Sequence, residues 1–270
     1  GRAPSSACPR GVMLRAGPSQ RRRRRRTLSR ALGCVFLIGS LAMACLSLGR
    51  IRKVLIRNCP PSLGSFAALG KNASSTPQVV LRDSQSEVLY YPGFLSEKES
   101  TSLYEHLASL PTWQSKPIRI YGKMVTQPRL VASYADSGVE YRYSNVTNRG
   151  HPWTPELDQV RRKAESWVGQ KFNFCLLNMY RNGTDYMGWH ADDEKEITGA
   201  IASISLGAAR DFVFKHKTNR TDKHEVLLES GSLLLMHGQT QQKYLHSLPR
   251  RSRVQRGRIN LTFRCIVASN

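Results

Sequence analysis

Two histidines and one aspartate in the second half of the chain are of the types that bind metal ions. His190 and Asp192 are separated by a single residue, and His246 follows further along the chain. Two imidazole nitrogens and one carboxylate can occupy one face of a non-haem iron(II) ion, which leaves the other face open for a co-substrate and oxygen. The His-x-Asp spacing is weak alone, because surface turns also produce it by chance. The pattern indicates oxidative chemistry only if other residues supply a co-substrate site.

A second polar set lies in the strand-like segment 258–264. Residues two apart in a strand face the same side, so this segment has one polar and one apolar face. An unpaired guanidinium in a core is strongly unfavourable, and the two arginines therefore require an anion. A dicarboxylic acid would meet this need, with one carboxylate on an arginine and the other chelating the metal beside its keto oxygen. The segment thus predicts a 2-oxoglutarate site, whose polar face consists of Arg258, Asn260, Thr262 and Arg264.

The elements that must position these residues begin near residue 87. Ser96 is a suitable N-cap with Glu99 three residues later, which predicts a helix over 97–110. Thr154 predicts a second helix over 155–169 in the same way. Short apolar runs separated by glycine turns then predict strands over 174–180, 200–206, 211–216, 225–229, 232–236 and 258–267. This order predicts an α+β, mainly β fold, a double-stranded β-helix (jelly roll) with supporting helices on the outside.

The formal charge of +22 resides mostly in an N-terminal extension, predicted to cover residues 1–86. Residues 1–82 carry 16 of the 41 Lys and Arg and none of the 19 Asp and Glu, so the rest of the chain has a formal charge of only +6. Residues 60–86, rich in Pro, Ser and Gly, are typical of a linker. The predicted catalytic domain is therefore 87–270.

Two features of this extension bear on localisation. Its uncharged run 31–49 is nearly as long as the ~20 residues that span a bilayer, and the flanking arginines fit a membrane anchor. An arginine-rich segment without acids also fits an organelle transit peptide, and the arginine block 21–26 fits a nuclear-localisation signal. We expect a nuclear protein. The alternative is a membrane-anchored or organelle-targeted protein, with 31–49 as the membrane contact.

The chain also resembles the AlkB family of iron(II)- and 2-oxoglutarate-dependent dioxygenases. The resemblance covers about residues 88–267, and it is most specific at 172–180, 188–194, 201–207, 210–216, 231–234, 246–249 and 258–264. It implies that His190, Asp192 and His246 bind Fe(II) as the catalytic centre, with 2-oxoglutarate and O2 as co-substrates. It also implies that Arg264 pairs with the distal carboxylate of 2-oxoglutarate. The implied co-substrate site consists of Asn178, Tyr180, Arg258, Thr262 and Arg264.

The same resemblance implies an oxidative demethylase that repairs 1-methyladenine and 3-methylcytosine in double-stranded DNA. Conversion of 2-oxoglutarate to succinate and CO2 would be coupled to hydroxylation of the N-methyl carbon, and loss of formaldehyde would then restore the base. The damaged base must leave the stack to reach the metal. An RNA or single-strand demethylase, and a nucleic-acid-binding module without activity, are the alternatives. We expect a monomer with no obligate protein partner.

The resemblance implies contacts with the flipped base by aromatic residues and by the acids Asp193 and Glu194, and separate contacts with the duplex. Tyr121 stands where the family usually has a phenylalanine that enters the duplex. Tyr134 would stack on the flipped base, with core packing as the alternative. Segments 127–129 and 250–253 would contact phosphates or a groove, unless the basic loop only improves solubility. The full predicted set is Tyr121, Gly122, Lys123, Tyr134, Ala135, Asp136, Asp193 and Glu194.

Overall fold

The computed structural model describes residues 76–115, 117–120, 123–143 and 146–267. Antiparallel strands are the main regular structure among these residues, and helices are few. The helices are α1 (Glu97–Ala108), α2 (Pro155–Val168) and α3 (Thr240–Lys243). The strands are β1 (Gln78–Arg82), β2 (Ser86–Tyr91), β3 (Pro117–Ile120), β4 (Lys123–Thr126), β5 (Leu130–Ala135), β6 (Glu140–Tyr143), β7 (Val146–Arg149), β8 (Phe174–Tyr180), β9 (Met187–His190), β10 (Ile197–Gly207), β11 (Arg210–His216), β12 (Lys223–Leu228), β13 (Leu233–Gly238), β14 (Tyr244–Leu248) and β15 (Arg258–Ile266).

Two sheets form the body of the fold. The larger has seven strands in the order β1-β2-β13-β10-β15-β8-β5, and the smaller has four in the order β12-β11-β14-β9. Strands β3 and β4 form one separate hairpin and β6 and β7 another. The architecture is a double-stranded β-helix, which confirms the predicted mainly β fold.

The seven-stranded sheet buries both faces, against different partners. One face packs on the helices: Leu107 of α1, Leu157 of α2 and Phe263 of β15 belong to one apolar cluster. A second cluster joins the sheet to the smaller one through Ile201 of β10 and Phe214 of β11. Because β15 alternates, its apolar residues face the helices and its polar row faces the space between the sheets. The predicted direction of that row is confirmed by the packing.

The predicted helix starts are confirmed by their caps. Ser96 accepts a hydrogen bond from the amide of Glu99, and the Glu99 side chain reaches back to the amide of Ser96, which forms a capping box. Thr154 accepts from the amide of Leu157 in the same position before α2. Both helices lie on the outer face of the larger sheet, as the sequence predicts.

The predicted linker, 60–86, overlaps the first strand of the fold. Strand β1 lies within 60–86 and pairs antiparallel with β2, so the folded part of the chain begins before residue 87. Alternation in β1 is poor, because only Leu81 of its five residues is fully buried, and an edge strand of this kind gives a weak signal. No helix among the described residues is long and apolar enough to cross a membrane; the run 31–49 lies outside them.

Candidate active site

The three predicted metal ligands come together at the end of the smaller sheet. His190 is the last residue of β9, and the antiparallel register places it opposite His246 of β14. Their ring centroids are 4.2 Å apart. Asp192 follows β9 by two residues, and one ligand atom from each of the three side chains lies within 4.8 Å of the others. Residues far apart in sequence therefore converge on one point through strand pairing.

Both imidazoles are held in the neutral state that metal binding requires. Burial lowers the pKa of His246 to about 3. Desolvation also lowers the pKa of His190 from its usual value. Nδ1 of His190 lies 2.9 Å from the carbonyl oxygen of Gly188, to which it donates when neutral. The lone pair of Nε2 is then available to a metal, an arrangement common for histidine ligands.

Asp192 is fixed by two neighbours. Its Oδ2 lies 2.8 Å from Nη2 of Arg264, and its backbone amide donates to Oε1 of Gln241 at 3.0 Å. Burial alone would raise the pKa of Asp192, but Arg264 and the two imidazoles outweigh it and hold the pKa well below the usual range. The side chain is thus a buried carboxylate that is held ionised by Arg264.

This donor set fits a divalent iron ion. Two neutral imidazoles and one carboxylate on adjacent elements are the ligands of a facial triad. Nδ1 of His246 is buried and has no hydrogen-bond partner among the described residues. A buried polar atom without a partner is energetically unfavourable. The three side chains therefore match the ligand set of a metal ion, and the contacts among them do not satisfy all their polar atoms.

The predicted co-substrate residues line the space next to the triad. In the register of β8 and β15, Tyr180 pairs with Arg258 and Asn178 pairs with Asn260, so these side chains share one face. Thr262 donates to Oδ1 of Asn260 at 3.0 Å. All of them are buried. The structure thus brings the whole predicted co-substrate set to one side of the metal candidates.

The two arginines of this row have different surroundings. Arg264 is paired with Asp192, whereas Arg258 has no carboxylate within 4 Å among the described residues. Arg258 donates from Nη2 to Oγ of Ser205 at 2.9 Å, its Nε is buried without a partner, and its Cζ lies 5.3 Å from the ring centre of Tyr180. Burial lowers its pKa to about 10. The pairing of Arg264 with the distal carboxylate of 2-oxoglutarate stays a prediction. Arg258, which lacks a carboxylate partner among the described residues, is a second candidate for that role.

The similarity to known proteins covers this whole arrangement. The 2OG-Fe(II) oxygenase superfamily matches the chain over residues 87–264, which include the triad and the polar row. Mouse DNA oxidative demethylase ALKBH2 is 37% identical over 197 residues, 70% of this chain and 74% of the relative. The chain belongs to the AlkB family of these oxygenases. Fe(II), 2-oxoglutarate and O2 are accordingly its cofactor and co-substrates, as predicted.

Other AlkB proteins match less of their own length. Human DNA oxidative demethylase ALKBH2 is 42% identical over 159 residues, which are 56% of this chain and 61% of the relative. Human alpha-ketoglutarate-dependent dioxygenase alkB homolog 3 is 34% identical over 192 residues, which are 67% of this chain and 66% of the relative. The AlkB resemblance found in the sequence is thereby confirmed.

Tyr134 does not take the position predicted from the AlkB resemblance. It pairs with Cys175 in the register of β5 and β8 and belongs to the cluster that packs on the helices. Its hydroxyl lies 2.9 Å from Oγ1 of Thr112, and 2% of the residue is exposed. This burial favours the alternative of core packing, and Tyr134 lies on the opposite face of β5 from Val131 and Ser133. The stacking role stays a prediction.

The neighbours of Tyr134 also have structural partners. Ala135 is buried beside Phe174 and Ile266. Asp136 accepts hydrogen bonds from Nε1 of Trp153 at 2.7 Å and from Nη1 of Arg161 at 3.1 Å. These contacts tie Asp136 to the side of the sheet that carries α2. Neither residue contacts the metal candidates, so the expectation that this segment binds substrate is not supported by its position.

The remaining predicted substrate residues divide into two groups. Asp193 and Glu194 directly follow Asp192, and Asp193 is half exposed with Nζ of Lys217 at 3.0 Å. These acids are thus at the edge of the metal site. Tyr121 and Gly122 lie outside the described residues, between β3 and β4. Lys123 is the first residue of β4.

Sequence reasoning missed three buried polar residues that support the site. Gln241 of α3 binds the amide of Asp192. Arg210 is 1% exposed and donates to the carbonyl oxygens of residues 182, 185 and 249, which holds the loops before β9 and after β14. Arg129 donates from Nε to Oδ1 of Asn178 at 2.8 Å. In the sequence, only their positive charge distinguishes Arg210 and Arg129. That charge led to the prediction that Arg129 contacts phosphate or a groove.

The basic loop is partly structural as well. Arg251 is bonded to Asp211, and its backbone amide donates to the carbonyl oxygen of Gly183 at 2.7 Å. Arg250 lies over the ring of Tyr186 at 4.3 Å, and Arg253 is exposed. Of this loop, Arg250 and Arg253 remain candidates for phosphate contact, whereas Arg251 joins strands.

Proposed function

We propose that this protein is an oxidative demethylase that restores 1-methyladenine and 3-methylcytosine in double-stranded DNA. The observation that carries the proposal is the junction of a buried His-Asp-His cluster with the polar row of β15, in a chain similar to DNA oxidative demethylases over both features. Fe(II) on His190, Asp192 and His246 would supply the oxidation of the N-methyl carbon by O2, coupled to decarboxylation of 2-oxoglutarate.

The protein residues have separate tasks in this reaction. Arg258 would bind the distal carboxylate of 2-oxoglutarate, because it is buried without a protein anion. Thr262, Asn178 and Tyr180 complete the walls of the same pocket. Arg264 holds Asp192 in its ionised form, which keeps that ligand ready for a cation.

The substrate side rests on residues at the edge of the pocket. Asp193 and Glu194 would contact the flipped base, since they directly follow the metal ligand Asp192 and Asp193 is half exposed. Tyr121 would enter the duplex from the turn between β3 and β4 and fill the gap that the base leaves. Stacking of the base on Tyr134 stays a prediction, and the place of that ring in the core favours the packing alternative.

Nuclear localisation and a monomeric state without an obligate protein partner complete the proposal. The arginine block 21–26 motivates the first, and a membrane or organelle location through 31–49 is its alternative. Cell fractionation, with mass spectrometry of the N-terminus of the cellular protein, separates these cases. Sedimentation of the purified protein with and without duplex oligonucleotide measures the oligomeric state.

The substrate is tested by comparing duplex and single-stranded oligonucleotides that carry one 3-methylcytosine. We expect restored cytosine to form faster in the duplex, and Tyr121→Ala to slow the duplex reaction more than the single-strand reaction. Equal slowing, or faster repair of RNA and single strands in the unaltered protein, would favour the single-strand alternative. Failure to restore any base while 2-oxoglutarate still binds would support a binding module without activity.

A further inference from the structure

Arg129 lies at the junction between the β3–β4 hairpin and the co-substrate site. It follows the end of β4 at Thr126 by three residues and precedes β5. The chain is fixed here by two backbone hydrogen bonds between Gln114 and Val131, of 2.8 and 2.9 Å. Arg129 itself is 6% exposed, which is unusual for an arginine without a carboxylate partner. A residue predicted to contact phosphate is thus turned into the protein.

The contact that Arg129 makes is specific. Its Nε donates to Oδ1 of Asn178 at 2.8 Å, and Asn178 is 2% exposed. A guanidinium carries only donors, whereas an amide has a donor end and an acceptor end. The end that faces Arg129 must therefore be the oxygen. Arg129 removes the freedom of the Asn178 amide to turn over.

The fixed amide has a consequence for the co-substrate pocket. With Oδ1 on Arg129, the amide nitrogen of Asn178 points away from the arginine, and no described residue accepts a hydrogen bond from it. Asn178 shares the face of β8 with Tyr180 and pairs with Asn260 of the polar row. A donor in this position suits an anionic oxygen, whereas the reversed amide would present its own oxygen and repel one.

Arg129 also adds charge to the pocket. Its guanidinium contacts Asn178 of the predicted co-substrate set. No carboxylate lies within 4 Å of Arg129 among the residues that the structure describes. Its charge is thus available to favour a dianion in this pocket.

We propose that Arg129 is a positioning residue for 2-oxoglutarate, which orients the Asn178 amide so that its nitrogen donates to the co-substrate. The inference rests on the proposed co-substrate site and adds to it a residue from outside the polar row. It also means that the hairpin predicted to enter DNA is followed directly by a residue that supports co-substrate binding. A role in phosphate contact predicts a different result, because it would change the affinity for DNA and leave 2-oxoglutarate binding unchanged.

The test is titration of 2-oxoglutarate into the full chain loaded with Mn(II) in place of iron, without DNA, followed by calorimetry. We expect Arg129→Met to raise the Kd of 2-oxoglutarate about 10- to 100-fold, since a hydrogen bond to a charged group is lost with its orienting partner. Arg129→Lys keeps the charge but not the guanidinium geometry. Its Kd for 2-oxoglutarate should lie between those of the unaltered protein and Arg129→Met. The effect of Arg129→Met should largely vanish in an Asn178→Ala background, because the two residues act through one contact.

Two further variants separate this role from general destabilisation. Arg161→Met removes another largely buried guanidinium, on the α2 side of the fold, and should leave the Kd unchanged. Asn178→Asp retains a partner for Arg129 but replaces the donor by an oxygen, and should abolish binding even if Arg129→Met fails to fold. Binding by Arg129→Met and Asn178→Asp within twofold of the unaltered protein would overturn the inference and leave the proposed function standing. Absence of binding by the unaltered protein would overturn both.

Discussion

Nη2 of Arg264 lies 2.8 Å from Oδ2 of Asp192, and neither side chain is more than 5% exposed. The residues come from the last strand of the larger sheet and from the segment that follows β9 of the smaller one. This buried ion pair therefore joins the two sheets at the metal site. Arg264 belongs to the polar row of the co-substrate pocket, and it also keeps the metal ligand Asp192 ionised.

Arg264→Met should destabilise the metal-free protein by about 3–5 kcal/mol, because removing one partner leaves a buried charge uncompensated. Urea unfolding measures the change. The same variant should bind Mn(II) more weakly, since the pKa of Asp192 rises without the arginine. Arg161→Met is the control, because its partners are on the α2 side and it should leave Mn(II) affinity unchanged. An Arg264→Met protein that retained full stability and metal affinity would contradict the role of the pair.

Arg258→Met should raise the KM for 2-oxoglutarate about 100-fold, because the distal carboxylate loses its cationic partner in a dry site. Mn(II) affinity should stay within twofold, since Arg258 has no contact with the triad. Initial rates over a range of 2-oxoglutarate concentrations, with metal binding measured separately, provide the comparison. If Arg264→Met raised the KM for 2-oxoglutarate and Arg258→Met did not, the result would support Arg264 as the partner of the distal carboxylate.

Tyr134→Phe should lower the free energy of unfolding by about 1 kcal/mol through loss of the hydrogen bond to Thr112. Its effect on demethylation should be small, because the ring remains in the core. Thr112→Val removes the same hydrogen bond from the other side and should cost a similar amount. A large loss of turnover in Tyr134→Phe with unchanged stability would instead support the contact with substrate.

Glu99→Gln should remove a pH-dependent part of the stability. Hydrogen bonds from Lys163 and from the amide of Ser96 lower the pKa of Glu99 to about 2. A carboxyl with a depressed pKa stabilises the fold above its unfolded value of about 4.5, and this contribution disappears as the pH falls toward 2. The difference in unfolding midpoint between the two proteins should therefore be greatest near pH 7 and shrink below pH 4.5. A difference in unfolding midpoint that stayed constant with pH would contradict this role of the Glu99 carboxylate.

The sequence predicted the site where local rules determine it. Alternation along β15 separated the polar row from Ile259, Leu261 and Phe263, and the structure keeps that division. The predicted boundaries of β8 agree with those observed at both ends. The helices begin where their caps predict, at Glu97 and Pro155, because a cap is a local hydrogen bond.

The contacts that the sequence could not predict depend on pairing between distant segments. The sequence could not show on which face of β5 Tyr134 lies, because both faces of this strand are buried. The partner of Arg264 could not be deduced, because it requires the position of Asp192 relative to β15. Arg129 resembled a surface cation, and only the register of β5 and β8 reveals that it contacts Asn178.

The central claim is tested most directly by the products formed from one methylated base. The purified chain is supplied with Fe(II), 2-oxoglutarate, O2 and a duplex that contains 3-methylcytosine, and formaldehyde, succinate and restored cytosine are measured together. We predict equal amounts of all three, and none of them above background from His190→Ala, which loses one of the ligands. Restored cytosine or formaldehyde from His190→Ala at the rate of the unaltered protein, or succinate without formaldehyde at every lesion concentration, would contradict the proposed reaction.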